Sequence, residues 1–287
     1  MLSTDSTNLK VAQPLASELL GANGGTTSTR AQRILSIARN AFREAVRDRV
    51  LYNLIIFVLL LIAGSLFLGE LSDSQEAKVI VDLGLSAMLL FGVFIAIFVG
   101  VGLVYKEIDR RTVYAIFAKP VSRGELLVGK YLGLCLTLLV NVLVMGLGVS
   151  LALLLVRNGR ALSWRIWPAV ALIFLELTII IAIALLFSTF SSPILSALMS
   201  FFIFIIGHFS ADLLAFANTL GTKPAQWFFG ALFYALPNLS NFSYITPAAY
   251  GTMPKASLFF GALGYAILYD GLVLGIASLI FTRRNFK

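Results

Sequence analysis

From Leu83 through Tyr105 the chain carries no charged residue. A helix of that length crosses a ~30 Å hydrocarbon core, which takes roughly 20 apolar residues. Further runs of the same kind lie at about 50–71, 131–156, 167–190, 194–217 and 257–282. The composition agrees: 59% of the residues are hydrophobic and 13% are charged, against ~45–50% and ~25% in an ordinary soluble domain. A water-soluble fold of this length would lack the polar side chains to cover its surface, and a bilayer removes that need. The chain reads as an all-α polytopic membrane protein with six transmembrane helices.

The net charge of +8 could suggest nucleic acid, but the basic residues flank the apolar runs. That is the pattern of membrane topology and of contact with anionic lipid, so no nucleic-acid partner is expected. With the N-terminus inside, fifteen basic residues close to the apolar runs fall on the cytoplasmic side, Lys10 in the tail aside: Arg30, Arg33, Arg39, Arg43, Arg47, Arg49, Lys106, Arg110, Arg111, Lys119, Arg123, Lys130, Arg283, Arg284 and Lys287. Six fall outside: Lys78, Arg157, Arg160, Arg165, Lys223 and Lys255. The bias puts both termini in the cytoplasm, although the loop at 157–165 runs against it.

The stretch 218–256 contains an apolar, aromatic run from Pro224 to Leu236 that Pro237 stops. It is too short to span and suits an interfacial or re-entrant outer segment. A seventh span there would also put the basic C-terminus outside, against the charge bias.

Residues 1–28 are rich in Ser, Thr, Gly and Asn, and no apolar core follows a basic start, so they read as a disordered cytoplasmic tail and not as a signal peptide. In 29–49, Ile34, Leu35, Ala38, Ala41, Phe42, Ala45 and Val46 recur at helical spacing, with Arg39, Arg43 and Arg47 opposite. Such a basic amphipathic helix lies in the membrane surface; the bland alternative is the solvated start of the first span. Residues 50–287 form the membrane domain. Gly129 and Gly133, and Gly271 and Gly275, have the spacing that lets membrane helices approach closely.

The segment 106–130 is the most charged part of the chain and joins the second and third runs on the cytoplasmic side. Val113, Ile116 and Phe117 stand at i, i+3 and i+4, so a short helix there shows one apolar face, and Pro120 ends it. A stiff amphipathic helix suits docking into a partner's groove; a solvated loop with a chance triplet is the competing reading.

The run from Gly102 to Arg123, Gly-Leu-Val-Tyr-Lys-Glu-Ile-Asp-Arg-Arg-Thr-Val-Tyr-Ala-Ile-Phe-Ala-Lys-Pro-Val-Ser-Arg, resembles type-2 ATP-binding-cassette transporter permeases. The most similar group is the permeases associated with copper-enzyme maturation. Phe190-Ser-Ser-Pro-Ile-Leu-Ser-Ala and Leu236-Pro-Asn-Leu-Ser-Asn-Phe are similar to the same group. The resemblance implies an elbow helix at about 30–49 and a coupling helix at about 107–118. It also implies a re-entrant segment before the last span, and a homodimer or heterodimer of six-span halves served by separate ATPase subunits that carry the ATP and Mg. Glu107, Arg110 and Arg111 would then be polar contacts to the ATPase, with Val113, Ile116 and Phe117 as the docking face. The implied function is a permease subunit in the inner membrane, exporting a substrate that the fold does not identify.

Gly124-Glu-Leu-Leu-Val-Gly-Lys-Tyr nearly matches a phosphate-binding loop, but Tyr131 replaces the hydroxyl residue that would hold Mg and no strand precedes it. No cofactor is therefore expected on this chain, and energy must come from a partner. One cysteine, Cys135, and one histidine, His208, supply neither a thiolate cluster nor a paired-histidine metal motif, so an intramembrane enzyme is disfavoured. Glu176 and Asp270 lie inside apolar runs, where a carboxylate is costly. They either line a substrate or proton path, as an ion-coupled secondary transporter would also require, or are paired for assembly.

Overall fold

The computed structural model describes residues 30–47, 56–57, 60, 64, 75–109, 122–156, 159–210, 212, 215–216, 219 and 222–283, and these form helices, turns and no strand. The helices are α1 (Arg30–Arg47), α2 (Glu76–Asp109), α3 (Arg123–Leu155), α4 (Arg160–Arg165), α5 (Trp167–Ser188), α6 (Pro193–His208), α7 (Lys223–Ala235), α8 (Ile245–Ala249) and α9 (Ala256–Arg283), with a 3-10 turn at Leu239–Phe242 before α8. Four stretches among them are long and apolar enough to cross a membrane: Glu76–Gly102, Gly124–Leu155, Arg160–Ser188 and Ala256–Thr282. Pro193–His208 is a shorter apolar helix. The expected run at 50–71 lies outside the described residues except at 56, 57, 60 and 64. There Phe57 is buried and meets Phe91 edge to face at 6.1 Å.

α5 is the axis of the bundle, packed on by α2, α3, α6 and α9. Glu176 through Leu185 are all buried, as befits a helix apolar on every side. Pro168 at its start and Pro193 at the start of α6 sit where a missing N–H costs nothing.

α2 and α3 outrun the expected spans. α2 has 34 residues and α3 has 33, roughly 50 Å each at the α-helical rise. The charged segment at 106–130 is therefore shorter as a connection than the sequence suggests: α2 continues to Asp109 and α3 begins at Arg123. A local cap explains the early start of α3. Ser122 Oγ accepts from the Glu125 backbone N–H at 3.2 Å, and the Ser122 N–H donates to Glu125 Oε2 at 3.3 Å, a reciprocal capping box. The near-match to a phosphate loop at 124–131 is thus the first two turns of this helix.

α1 forms as its pattern requires, and part of its apolar face is taken up by a neighbouring helix while Leu35 stays exposed. Ala38, Ala41 and Ala45 are buried, and α1 runs alongside α3. A Cβ on Gly129 would come within 2.7 Å of Ile37 Cγ2, and one on Gly133 within 2.5 Å of the Ala38 carbonyl oxygen and 2.7 Å of Ala41 Cβ. The glycine pair is a groove that the alanine ridge fills. Gly271 and Gly275 have the same spacing, yet a Cβ on either meets nothing within 4 Å.

The bundle has two ends. The loop end holds the end of α2, the start of α3 and the end of α9, where a Cβ on Gly124 would lie 3.0 Å from Ser278 Oγ. The cap end holds α4, α8 and the 3-10 turn. There Arg165 Nη1 donates to the Gly251 carbonyl at 3.2 Å and the Lys78 ammonium lies 4.3 Å above the Tyr250 ring. Ser210 Oγ donates to Asn238 Oδ1 at 2.7 Å, tying the turn after α6 to the cap. α7 stands apart, with Trp227, Phe228 and Tyr234 exposed.

Candidate functional site

Both carboxylates singled out from the sequence are buried, Glu176 at 1% and Asp270 at 7% exposure. A lone carboxylate within a membrane helix costs about 3 kcal/mol on insertion scales, so each needs a partner or a task.

Glu176 sits midway along α5. A tight turn at 189–192 sends α6 back along α5 and brings His208, its last residue, alongside. His208 Nδ1 lies 3.0 Å from Glu176 Oε1, within hydrogen-bond distance, the donor being set by the imidazole tautomer. Phe204 lies against one side of the imidazole at 5.5 Å, and Phe209 meets it edge-on at 5.6 Å. His208 and Asp212 both stand toward the end of the apolar run at 194–217. In the bundle His208 is the partner of the one carboxylate on α5. Asp212 is exposed.

Asp270 belongs to the stripe Ala262, Ala266, Asp270, Val273, Ala277 and Phe281 that α9 buries against α5 and α3. Three alanines in that stripe let the helices approach closely. Tyr131 Oη on α3 donates to Asp270 Oδ2 at 2.7 Å. Cys135, one turn further along α3, is the free thiol beside this pair. Asp270 Oδ1 is buried and has no hydrogen-bond partner among the described residues. Glu176 and Asp270 therefore face different helices and hold different partners, and they do not form one acid pair. In the sequence Tyr131 stands out only at the start of an apolar run and at the hydroxyl position of the near phosphate-loop match. Its role appears only when α9 packs beside α3.

At the loop end, Glu107 lies in the last turn of α2, while Arg110, Arg111, Val113, Ile116 and Phe117 lie outside the described residues. The frame that holds them is described. Arg30 Nε and Arg33 Nη1 approach the two oxygens of Glu125 at 3.8 and 3.9 Å. The same carboxylate caps α3. The start of α1 and the start of α3 are thus held by one side chain. No group of three or more potential metal ligands occurs among the described residues.

The family model described as ABC-2 family transporter protein matches residues 35–285. No curated protein matches the chain closely enough to stand beside that result.

Proposed function

The chain belongs to the ABC-2 family of transporter proteins, and from that membership we propose that it is a permease subunit exporting its substrate across the inner membrane, driven by an ATPase on a separate polypeptide. The observation that carries this reading is the family match over nearly the whole membrane domain. In the proposed arrangement six spans make one half of a homodimer or heterodimer, and both termini and the loop end face the cytoplasm. α1 is the elbow helix, and its exposed Arg39 and Arg43 meet anionic headgroups. Residues 107–118 form the coupling helix. Glu107, Arg110 and Arg111 make polar contacts to the ATPase, and Val113, Ile116 and Phe117 fill its groove.

The frame around that loop supports the role. α2 delivers its start and α3 continues from its end as long rigid helices, so a push there travels as rigid-body motion. α1 is keyed to the same end of α3 and would move with it. Glu176 and Asp270 lie along the proposed translocation path. The segment 218–256 would be the re-entrant outer part, and the group associated with copper-enzyme maturation is the proposed branch. Copper itself is not the proposed cargo, because the spans carry no ladder of Met and Cys for a soft metal.

Affinity purification from native membranes, followed by reconstitution, tests the reading. An ABC-type ATPase should co-purify, and transport should follow ATP. Phe117→Asp should leave the protein in the membrane and abolish the coupling of hydrolysis to transport. ATP hydrolysis by the isolated chain would overturn the reading. Transport that follows a proton gradient without ATP would replace it with a secondary carrier using Glu176 and Asp270.

A further inference from the structure

The stripe that α9 buries carries one carboxylate: Tyr131 donates to one oxygen, while the other, near a Thr178 hydroxyl that itself donates to the Leu175 carbonyl at 2.8 Å, makes no hydrogen bond among the described residues. Beside it in the chain, Tyr269 begins a column of rings. Tyr269 and Tyr265 stack at 5.8 Å with 24° between their planes, and Tyr265 meets Phe242 at 6.1 Å. Tyr265 Oη accepts from the Asn238 backbone N–H at 2.9 Å. The column thus leads from Asp270, deep in α9, to the turn that closes the cap end.

Its place on the helix matters. Tyr265 and Tyr269 lie one residue short of the buried positions Ala266 and Asp270, so they occupy the flank of that stripe and are half-buried. Their neighbours on the outward face, Leu268 and Leu272, are exposed.

The chemistry selects the charge of such a ligand. Ring faces carry negative quadrupole charge and attract cations. An oxygen of Asp270 with no donor would accept from an N–H or offset a positive charge, whereas an anion would be repelled by carboxylate and rings alike. A neutral apolar molecule would gain nothing from Asp270. A small hard cation would want several more oxygen ligands, and no group of three or more His, Cys, Asp or Glu side chains occurs among the described residues. We propose that Asp270 with the Tyr265–Tyr269 stack is a subsite for an organic cation, the ammonium- or phosphonium-bearing part of the transported molecule. This rests on the reading of Asp270 as part of the translocation path.

The test uses the full chain in nanodiscs with its co-purified ATPase, and radiolabelled tetraphenylphosphonium as the probe. Binding should be saturable. Asp270→Asn should weaken it about tenfold or more. Tyr269→Leu should weaken it several-fold, the range of a partly exposed cation–π contact, while Tyr269→Phe should retain most of it. Leu268→Ala, on the outward face, should bind as the parent does. The uncharged isostere tetraphenylmethane should not compete. Size-exclusion profile and thermal midpoint establish that each variant is folded, and the tyrosine variants decide the matter if Asp270→Asn is not. Unchanged binding in folded Asp270→Asn and Tyr269→Leu overturns the proposal, as does equal competition by the neutral isostere. So does a variant whose pH response changes while no cation binds, which would make Asp270 a proton site only. An ATPase that co-purifies without any cation binding leaves the permease reading standing and removes this one. Cation binding without an ATPase does the reverse.

Discussion

His208 Nδ1 rests 3.0 Å from Glu176 Oε1, joining the last residue of α6 to the middle of the most buried helix. The two members of the pair are not equivalent. Removing the histidine leaves the Glu176 carboxyl group without its partner among apolar side chains, whereas removing the glutamate leaves an imidazole that can be neutral. His208→Leu should therefore destabilise the protein by roughly 3 kcal/mol or more, and Glu176→Leu by clearly less. The double variant should recover much of the His208→Leu loss. Thermal unfolding of the four proteins in detergent gives the cycle, and equal losses for the two single variants would contradict it.

The glycine groove on α3 supports a second expectation. A larger side chain at Gly133 would meet the α1 backbone, so Gly133→Val should cost about 1–3 kcal/mol and expose α1 to protease. Gly275→Ala places its methyl in open space and should be neutral or stabilising by up to about 1 kcal/mol. Proteolysis and thermal midpoints of both variants check the contrast.

Glu125 has two tasks, capping α3 and pairing with Arg30 and Arg33. Glu125→Gln keeps a capping acceptor and loses only the ion pairs. At this surface such pairs are worth a few tenths of a kcal/mol and are weakened further by salt. Glu125→Ala also loses its half of the capping box and should cost about 1 kcal/mol. Amide exchange in residues 123–127 should quicken markedly in the alanine variant and only slightly in the glutamine variant.

Topology can be read by labelling single cysteines in a Cys135→Ser background. With the loop end in the cytoplasm, Ser36→Cys should resist a membrane-impermeant maleimide in intact spheroplasts and react in inverted vesicles. Thr252→Cys, exposed at the cap end, should behave oppositely. Labelling of both from one side would rule out the proposed orientation.

Local features of this fold were legible in advance. The start of α7 at Lys223 and its end before Pro237 follow from the run of residues there, and the amphipathic α1 follows from its spacing. The start of α3 was misplaced by eight residues, because the apolar run begins at Tyr131 while Ser122 and Glu125 cap the helix earlier. The membrane-surface reading of α1 missed the cover that α3 gives to Ala38, Ala41 and Ala45. Identical glycine spacings had opposite fates, since spacing says nothing about whether another helix is opposite.

The sequence by itself determined that this protein carries apolar runs long enough to cross a bilayer and where charge collects at their ends. Those properties depend on run length and composition, which are read along one dimension. Tertiary structure decided that Glu176 meets His208, 32 residues away, and that Asp270 meets Tyr131, 139 residues away. In water the polar side of a helix reveals its buried side, but lipid leaves both sides apolar. Which faces touch was therefore settled only by how the helices pack.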